Sequence, residues 1–99
     1  MYLQHIDRDN RKCEFGILIG EEAYVGEGRG TEANHLICKF GFDSLGMHKI
    51  YLCVLASNER ARKSYSKVGF EEEYISHDDV WIDGKAVDVV FMSKYKENE

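Results

Sequence analysis

The segment YVGEGRGTEANHL, residues 24–36, combines residue types that suit anion binding. Gly26, Gly28 and Gly30 alternate with other residues. An apolar helical pattern begins directly afterwards at Thr31. Glycines let a ligand approach the backbone closely, and the unpaired N–H groups at a helix start bind anions readily. The segment therefore predicts either an anion-binding turn or a plain turn before a glycine-capped helix.

A second group of candidate residues lies on a predicted helix that begins at Asn58, a good N-cap, and ends at Gly69. Ala61, Tyr65 and Val68 fall on one stripe of this helix. A phenol with a pKa of about 10 is protonated at neutral pH and can give its proton to a leaving group. Tyr65 therefore either acts as an acid or packs with the rest of the stripe.

A chain of 99 residues forms one small domain at most. Its hydrophobic content of 43% is typical of a globular core and excludes a disordered chain. The net charge of −5 and the lack of a basic cluster argue against a nucleic-acid partner. We find no apolar run of about eighteen residues and no secretory signal pattern, and so expect no membrane partner.

The cysteines and histidines show no metal-ligand spacing. Cys13, Cys38 and Cys53 are odd in number and widely spaced, and they form no CxxC pair. We therefore expect no metal site and no disulfide, and we predict buried thiols in the reducing cytoplasm. The four histidines are assigned to structure or to the surface: His5, His35, His48 and His77.

The first half of the chain predicts a strand, a helix and a second strand. EFGILIG, residues 14–20, alternates like a strand. The helical pattern covers residues 31–45, with a break in phase at Phe42 and with Gly46 where a C-cap belongs. Residues 48–55 are apolar on both alternating sets, as in a strand covered on both faces.

The second half predicts the helix from Asn58 and then a hairpin, in which residues 74–82 and 86–94 flank an Asp-Gly turn. Val87, Val89 and Phe91 alternate cleanly, as expected for an antiparallel pair. A strand–helix–strand–helix order implies a right-handed crossover between parallel strands. The first residues, YLQHID and RDNRK, predict a short strand and a polar turn. We therefore expect an α/β (α+β) domain with a mixed sheet, two helices and a C-terminal antiparallel hairpin.

Three of these features follow one another in a set order: a strand before the glycine-rich turn at a helix start, a second strand, and the pattern Asn-x-x-Ala-x-x-x-Tyr-x-x-x-Gly-Phe at residues 58–70. This set resembles the Gcn5-related N-acetyltransferase (GNAT) superfamily. The segments EFGILIG, GEGRGTEA, HKIYLCVLASNERARKSYSKVGF and DGKAVDVVFMS look most similar to its branch of ribosomal-protein alanine, spermidine and antibiotic acetyltransferases. The resemblance covers residues 3–94 and implies a partial GNAT fold.

The resemblance implies acetyl-CoA as co-substrate. The backbone from Ile17 to Ile19 would pair with the pantetheine arm as an added strand does, with one amide near the thioester oxygen. The amides from Val25 to Thr31 would hold the pyrophosphate, helped by Arg29 because Val25 stands where the family usually has Arg or Gln. The full set of implied cofactor-binding residues is Ile17, Leu18, Ile19, Val25, Gly26, Glu27, Gly28, Arg29, Gly30, Thr31, Asn58 and Arg62.

The resemblance also implies two catalytic residues. Tyr65 would protonate the departing thiolate, as the tyrosine of this motif often does in GNAT enzymes. Glu14 would be the base that deprotonates the amine, or else a solvated carboxylate at a sheet edge. Glu14 shares a strand face with Gly16, whose missing side chain suggests close approach by a ligand. The acidic run at residues 71–73 either attracts a polyamine or is a solvated face.

A complete GNAT domain has a strand, two helices and one or two further strands before the segment that YLQHID resembles. We therefore expect a single partial domain over residues 1–99, with the cofactor half present and much of the acceptor half missing. An unpaired early edge of the sheet and an exposed apolar face predict a homodimer or a strand-exchanged oligomer.

Three functions remain open from the sequence. The first is an N-acetyltransferase that acts on a primary amine of a small molecule or a protein N-terminus. The second is a non-catalytic acetyl-CoA-binding or oligomerisation module. The third, an unrelated nucleotide-binding protein, lacks the Lys-Ser/Thr and the ribose-binding acid that such motifs need.

Overall fold

The computed structural model describes residues 1–17 and 28–97. Its elements in these residues are β1 (Tyr2–Asp7), β2 (Lys12–Gly16), α1 (Gly28–Lys39) with a π-helical extension (Phe40–Ser44), β3 (Lys49–Leu55), α2 (Glu59–Lys67), β4 (Glu71–Ile82) and β5 (Lys85–Tyr95).

The strands form one mixed sheet in the order β1-β2-β3-β5-β4. β2 and β3 are parallel and are joined through α1, whereas the other neighbouring pairs are antiparallel. This arrangement confirms the predicted mixed sheet, the parallel crossover pair, the two helices and the C-terminal hairpin.

One hydrophobic cluster joins the sheet to both helices. On α2, the stripe of Ala61, Tyr65 and Val68 is buried, as predicted. Phe42 on the π-helical extension and Phe70 after α2 belong to the same cluster. The buried strand and helix residues of this core include Cys13, Phe15, Cys38, Ile50, Leu52, Val54, Val90 and Met92.

The prediction that β3 is covered on both faces is wrong for the described residues. Ile50, Leu52 and Val54 are buried, but Tyr51 is half-buried and Cys53 is exposed. The helices cover one alternating set of β3, and the other set is left partly open. A run that is apolar on both sets does not distinguish a covered face from an open one.

α1 begins earlier than predicted, and its π-helical extension accounts for the predicted break in phase. The helix begins at Gly28 rather than Thr31, so Gly28 and Gly30 are helical. The break in phase at Phe42 corresponds to the π-helical extension, where the Leu45 N–H bonds to the Phe40 carbonyl at 3.1 Å. A π turn adds about one residue to the α-helical repeat, which shifts the apolar pattern. Gly46 then has φ +74°, as its predicted place at the helix end requires.

β2 begins at Lys12, earlier than predicted, because it pairs with β1 from that residue. It ends at Gly16, and residues 18–20 of the predicted strand lie outside the described residues.

The hairpin follows its Asp-Gly signal. Asp83 and Gly84 both have positive φ, 51° and 77°, which is typical of a type I′ turn. β5 pairs with β3 from Val89 to Tyr95 and with β4 from Lys85 to Ser93. The hairpin tip therefore extends past β3, and Trp81 on it is 73% exposed.

Candidate active site

A groove opens where β2 and β3 separate. Pairs from Lys12–Lys49 to Glu14–Tyr51 join the two parallel strands. Beyond them lies a groove of about 340 Å³, which falls within the range of roughly 300–1,000 Å³ for small-molecule sites. Its lining residues are Tyr2, Gln4, Glu14, Phe15, Gly16, Ile17, Leu52, Cys53, Val54, Leu55, Asn58, Ala61 and Tyr65.

The position of this groove suits an extended ligand. It lies at the carboxyl ends of neighbouring parallel strands, where open α/β sheets bind ligands. The strand edges of residues 15–17 and 52–55 face it. Backbone groups on such edges can hydrogen-bond an extended chain as a further strand would.

Asn58 brings the start of α2 to the groove. Its side-chain oxygen accepts a hydrogen bond from the Ala61 N–H at 3.2 Å, and this confirms the predicted N-cap. The Asn58 N–H bonds to the Leu55 carbonyl at 2.9 Å, so the cap is tied to the end of β3. The side chain can still reach a ligand because it lines the groove.

Tyr65 lies on α2, seven residues after Asn58, and is 7% exposed. Its ring meets Phe15 edge-on at 6.2 Å and Phe70 at 6.1 Å between centroids. The packing role and the groove-lining role therefore coexist in one side chain. Aromatic contacts of this kind fix the orientation of the ring beside the groove.

Glu14 also lines the groove, and its side chain is 18% exposed. The Gln4 amide donates to its Oε1 at 2.6 Å, and the Cys53 thiol donates to its Oε2 at 3.8 Å. His5 Nδ1 lies 2.9 Å from Oε1. The geometry favours a held groove carboxylate over a solvated one at the sheet edge.

The cysteines divide between the core and the groove. Cys13 and Cys38 are buried as predicted, but Cys53 is exposed and lines the groove, so its predicted burial is wrong. Partial burial and then the charge of Glu14 raise the pKa of Cys53 to about 11. The thiol is therefore protonated at neutral pH and is a poor nucleophile.

Gly16 makes close contact with a side chain of this chain. A methyl group there would lie 2.6 Å from the Tyr2 hydroxyl oxygen and would overlap the Tyr2 ring. The missing side chain is thus explained by β1, not by a ligand as we predicted. Sequence reasoning missed Tyr2, because strand pairing between Tyr2 and Gly16 brings the ring there.

Arg62 lies in a different cleft from the groove residues, beside α2 and β4. Its guanidinium pairs with both carboxylate oxygens of Glu72, at 2.8 and 3.2 Å. It also donates to the Ala56 carbonyl at 2.7 Å. Arg62 therefore ties α2 to β4, and the structure does not bring it together with the other candidate residues.

The glycine-rich segment is described in part. Ile17 lines the groove, and Gly28 to Thr31 form the first turn of α1. The Arg29 side chain is outside the described part of the structure. The remaining predicted cofactor residues lie outside the described residues altogether: Leu18, Ile19, Val25, Gly26 and Glu27.

The acetyltransferase (GNAT) domain model matches residues 1–71. The chain belongs to the GNAT acetyltransferase family. It is 36% identical over 90 residues to spermidine N(1)-acetyltransferase of Escherichia coli, covering 91% of this chain and 48% of that protein. It is 31% identical over 94 residues to the putative ribosomal N-acetyltransferase YdaF of Bacillus subtilis, covering 95% of this chain and 51% of that protein.

The solved structures agree with this GNAT assignment. A variant of spermidine N-acetyltransferase from Vibrio cholerae superposes with a TM-score of 0.82 at 32% identity, covering 94% of this chain and 54% of that one. The GNAT chain spans about half the length of the curated relatives that it matches. The resemblance that the motifs implied is thereby confirmed.

Within residues 1–17 and 28–97, no helix of this GNAT chain is long and apolar enough to cross a membrane. In the same residues, no three His, Cys, Asp or Glu side chains are grouped so that they could hold a metal ion.

Proposed function

We propose that this chain supports acetyl-CoA-dependent N-acetyl transfer, directly to a primary amine of a small molecule or of a protein N-terminus. The observation that carries the proposal is the groove at the carboxyl ends of β2 and β3, because Glu14, Asn58 and Tyr65 all line it. A carboxylate, an amide and a phenol are thus assembled from two strands and a helix.

The proposed reaction gives a task to Glu14, to the strand backbone and to Tyr65. An alkylamine with a pKa of about 10 is mostly protonated at neutral pH, so Glu14 takes a proton from the ammonium. The amine nitrogen then bonds to the thioester carbon. Backbone N–H groups on the opened strand edge stabilise the oxyanion. The carbon–sulfur bond breaks, and the Tyr65 hydroxyl gives its proton to the thiolate. The acylated nitrogen then loses its second proton, which returns the Tyr65 phenolate to the hydroxyl form.

Direct transfer fits the state of the groove thiol. An acyl-enzyme route through Cys53 would need a thiolate, yet burial and Glu14 raise the pKa of that thiol to about 11. The high pKa of this thiol supports direct attack of the amine on the thioester, without a covalent intermediate on Cys53.

We assign the co-substrate's arm to residues 17–19 with Asn58, and its pyrophosphate to the amides of residues 25–31, on the GNAT likeness. A helix start supplies unpaired N–H groups for the phosphates. Arg62 bonds instead to Glu72 and Ala56 in a separate cleft, so this assignment does not include it.

We propose cytoplasmic self-association, as a homodimer or strand-exchanged oligomer. β4 is at the end of the sheet, and its exposed side chains include Tyr74 and Ile75. An unpaired strand edge of this kind readily pairs with another copy. A relative from Vibrio cholerae has a structure described as dodecameric. Light scattering at micromolar concentration tests this, and a strictly monomeric mass contradicts it.

A second candidate function is a non-catalytic acetyl-CoA-binding module. The observation that favours it is the partly open set of Tyr51 and Cys53 on β3. Such a module would bind acetyl-CoA in the groove without transferring the acetyl group.

One experiment separates the two functions. Calorimetric titration with acetyl-CoA is followed by mass-spectrometric detection of acetylated product over a panel of amines. Tyr65→Phe should slow product formation by at least about tenfold, because loss of a general acid typically costs 10²–10⁴-fold, while leaving acetyl-CoA affinity unchanged. Tyr74→Phe, at an exposed tyrosine outside the groove lining, is the matched control. Binding without any product would select the module.

A further inference from the structure

β1 is distorted where it passes Glu14. The pairing register between β1 and β2 shifts between Gln4 and Asp7, and His5 has φ +51°. Consecutive side chains of a regular strand point to opposite faces of the sheet. Here Gln4 and His5 both contact the same oxygen of Glu14. The irregularity therefore turns His5 towards the carboxylate, as bulges next to functional sites commonly do.

The two oxygens of Glu14 have different surroundings. Oε1 receives the Gln4 amide at 2.6 Å and lies 2.9 Å from His5 Nδ1. Oε2 lies towards Cys53, which lines the groove. An ionised carboxylate can only accept hydrogen bonds, so His5 donates through a protonated Nδ1. The His5 ring itself is 68% exposed and does not line the groove.

We propose that His5 is a positioning residue for acetyl transfer. Its Nδ1–H and the Gln4 amide occupy Oε1 and hold the carboxylate so that Oε2 faces the groove, where it accepts the proton of the acceptor amine. His5 touches neither substrate and acts through Glu14. The inference rests on the proposed function, because it assigns a means of orienting the base of that reaction.

The backbone of His5 supports a role beyond a surface ion pair. A left-handed conformation is uncommon in residues other than glycine and is energetically unfavourable. A side chain that merely paired with a carboxylate from a regular strand would not need it. The conformation persists together with a short contact to a groove residue that is mostly covered.

The test compares two substitutions at His5 with one elsewhere. His5→Ala removes the donor, whereas His5→Asn retains a donor near the place of Nδ1. His77→Ala is the matched control, because His77 contacts Asp88 at 3.1 Å and is 76% exposed. Steady-state rates are measured with an amine that the panel has shown to be an acceptor, and acetyl-CoA affinity is measured by calorimetry.

We expect His5→Ala to lower kcat by about ten- to a hundred-fold, since small misplacements of reacting groups have effects up to about that size. The acetyl-CoA affinity should not change. His5→Asn should restore kcat to within about threefold of the parent, a rescue that loss of general stability would not show, and His77→Ala should match the parent. A normal rate for His5→Ala, or an equal loss in His5→Asn, overturns the inference.

Nitrogen-15 NMR of the imidazole rings gives a readout that does not depend on turnover. The parent should show His5 protonated at Nδ1, and Glu14→Gln should reduce that tautomer's population. A ring protonated mainly at Nε2 in the parent contradicts the inference. If the parent acetylates no amine, the proposed function fails and this role fails with it. If the parent is active and His5→Ala is normal, only this role fails.

Discussion

Replacing Gly16 by alanine tests the contact between β1 and β2 that lies at the groove. The added methyl group would overlap the Tyr2 ring and lie 2.6 Å from its hydroxyl oxygen. Tyr2 is 38% exposed, so roughly three-fifths of it is covered. An aromatic side chain buries about 150–250 Å² when fully covered, which at about 25 cal/mol per Å² gives an upper limit of about 2–4 kcal/mol for this ring.

The ring is at the end of an edge strand and can move outward at the cost of that burial. We therefore expect Gly16→Ala to lower the free energy of unfolding by about 1–3 kcal/mol, the usual cost of overpacking. In a Tyr2→Ala background the same change should cost almost nothing, because the space above residue 16 is then open. The coupling between the two changes should thus be about 1–3 kcal/mol.

Urea unfolding followed by far-ultraviolet circular dichroism measures all four proteins of this cycle. Equal costs of Gly16→Ala in the two backgrounds would refute the reasoning. So would a variant with unchanged stability and weakened acetyl-CoA binding, since that result would return Gly16 to its predicted place beneath a ligand. Calorimetric titration of the same proteins detects that outcome.

Three further substitutions should change the stability or the thiol reactivity of the protein in a direction that the structure predicts. Asn58→Ala removes a helix cap and should cost about 1 kcal/mol, or a melting temperature lower by about 4–8 °C in a thermal scan; an unchanged melting temperature would contradict the cap. Hydrogen bonding, first from Ser93, lowers the pKa of Glu73 below its ordinary value near 4.5. The stability that Glu73 contributes to the fold is therefore present above a pH of about 4.5 and is lost as the pH falls through the folded pKa. Glu73→Gln should flatten the acid side of a stability–pH curve, and a parallel curve would count against this. Burial and then Glu14 raise the pKa of Cys53 to about 11. Glu14→Gln should therefore speed the alkylation of Cys53 by iodoacetamide several-fold at about pH 8, as measured by mass spectrometry with the two buried thiols as internal controls. An unchanged rate would contradict the effect of Glu14 on this thiol.

The sequence predicted α2 and the hairpin well, because their signals are local. Asn58, Gly69 and the Asp-Gly turn each specify a backbone conformation within a few residues. The core face of α2 followed from its spacing alone. These features required no knowledge of which strands pair.

The surroundings of Glu14 could not be predicted in the same way. Its partners come from β1 and β3, and the reach of His5 depends on an irregularity in strand pairing. Tyr2 and Cys53 likewise enter the groove through pairing register. The pattern of β3 was misleading, because side chains that line a groove are as apolar as side chains in a core.

The projecting tip of the β4–β5 hairpin determines what the intrinsic fluorescence of the protein reports. The chain has a single tryptophan, and Trp81 is 73% exposed on that tip. Its emission therefore follows the local environment of two strands that extend beyond β3, and it is insensitive to the packing of Phe70 or Met92. When another copy or a ligand covers the tip, the emission should shift to shorter wavelength although the core is unchanged, so that Trp81 is a built-in optical sensor of contacts at this end of the sheet.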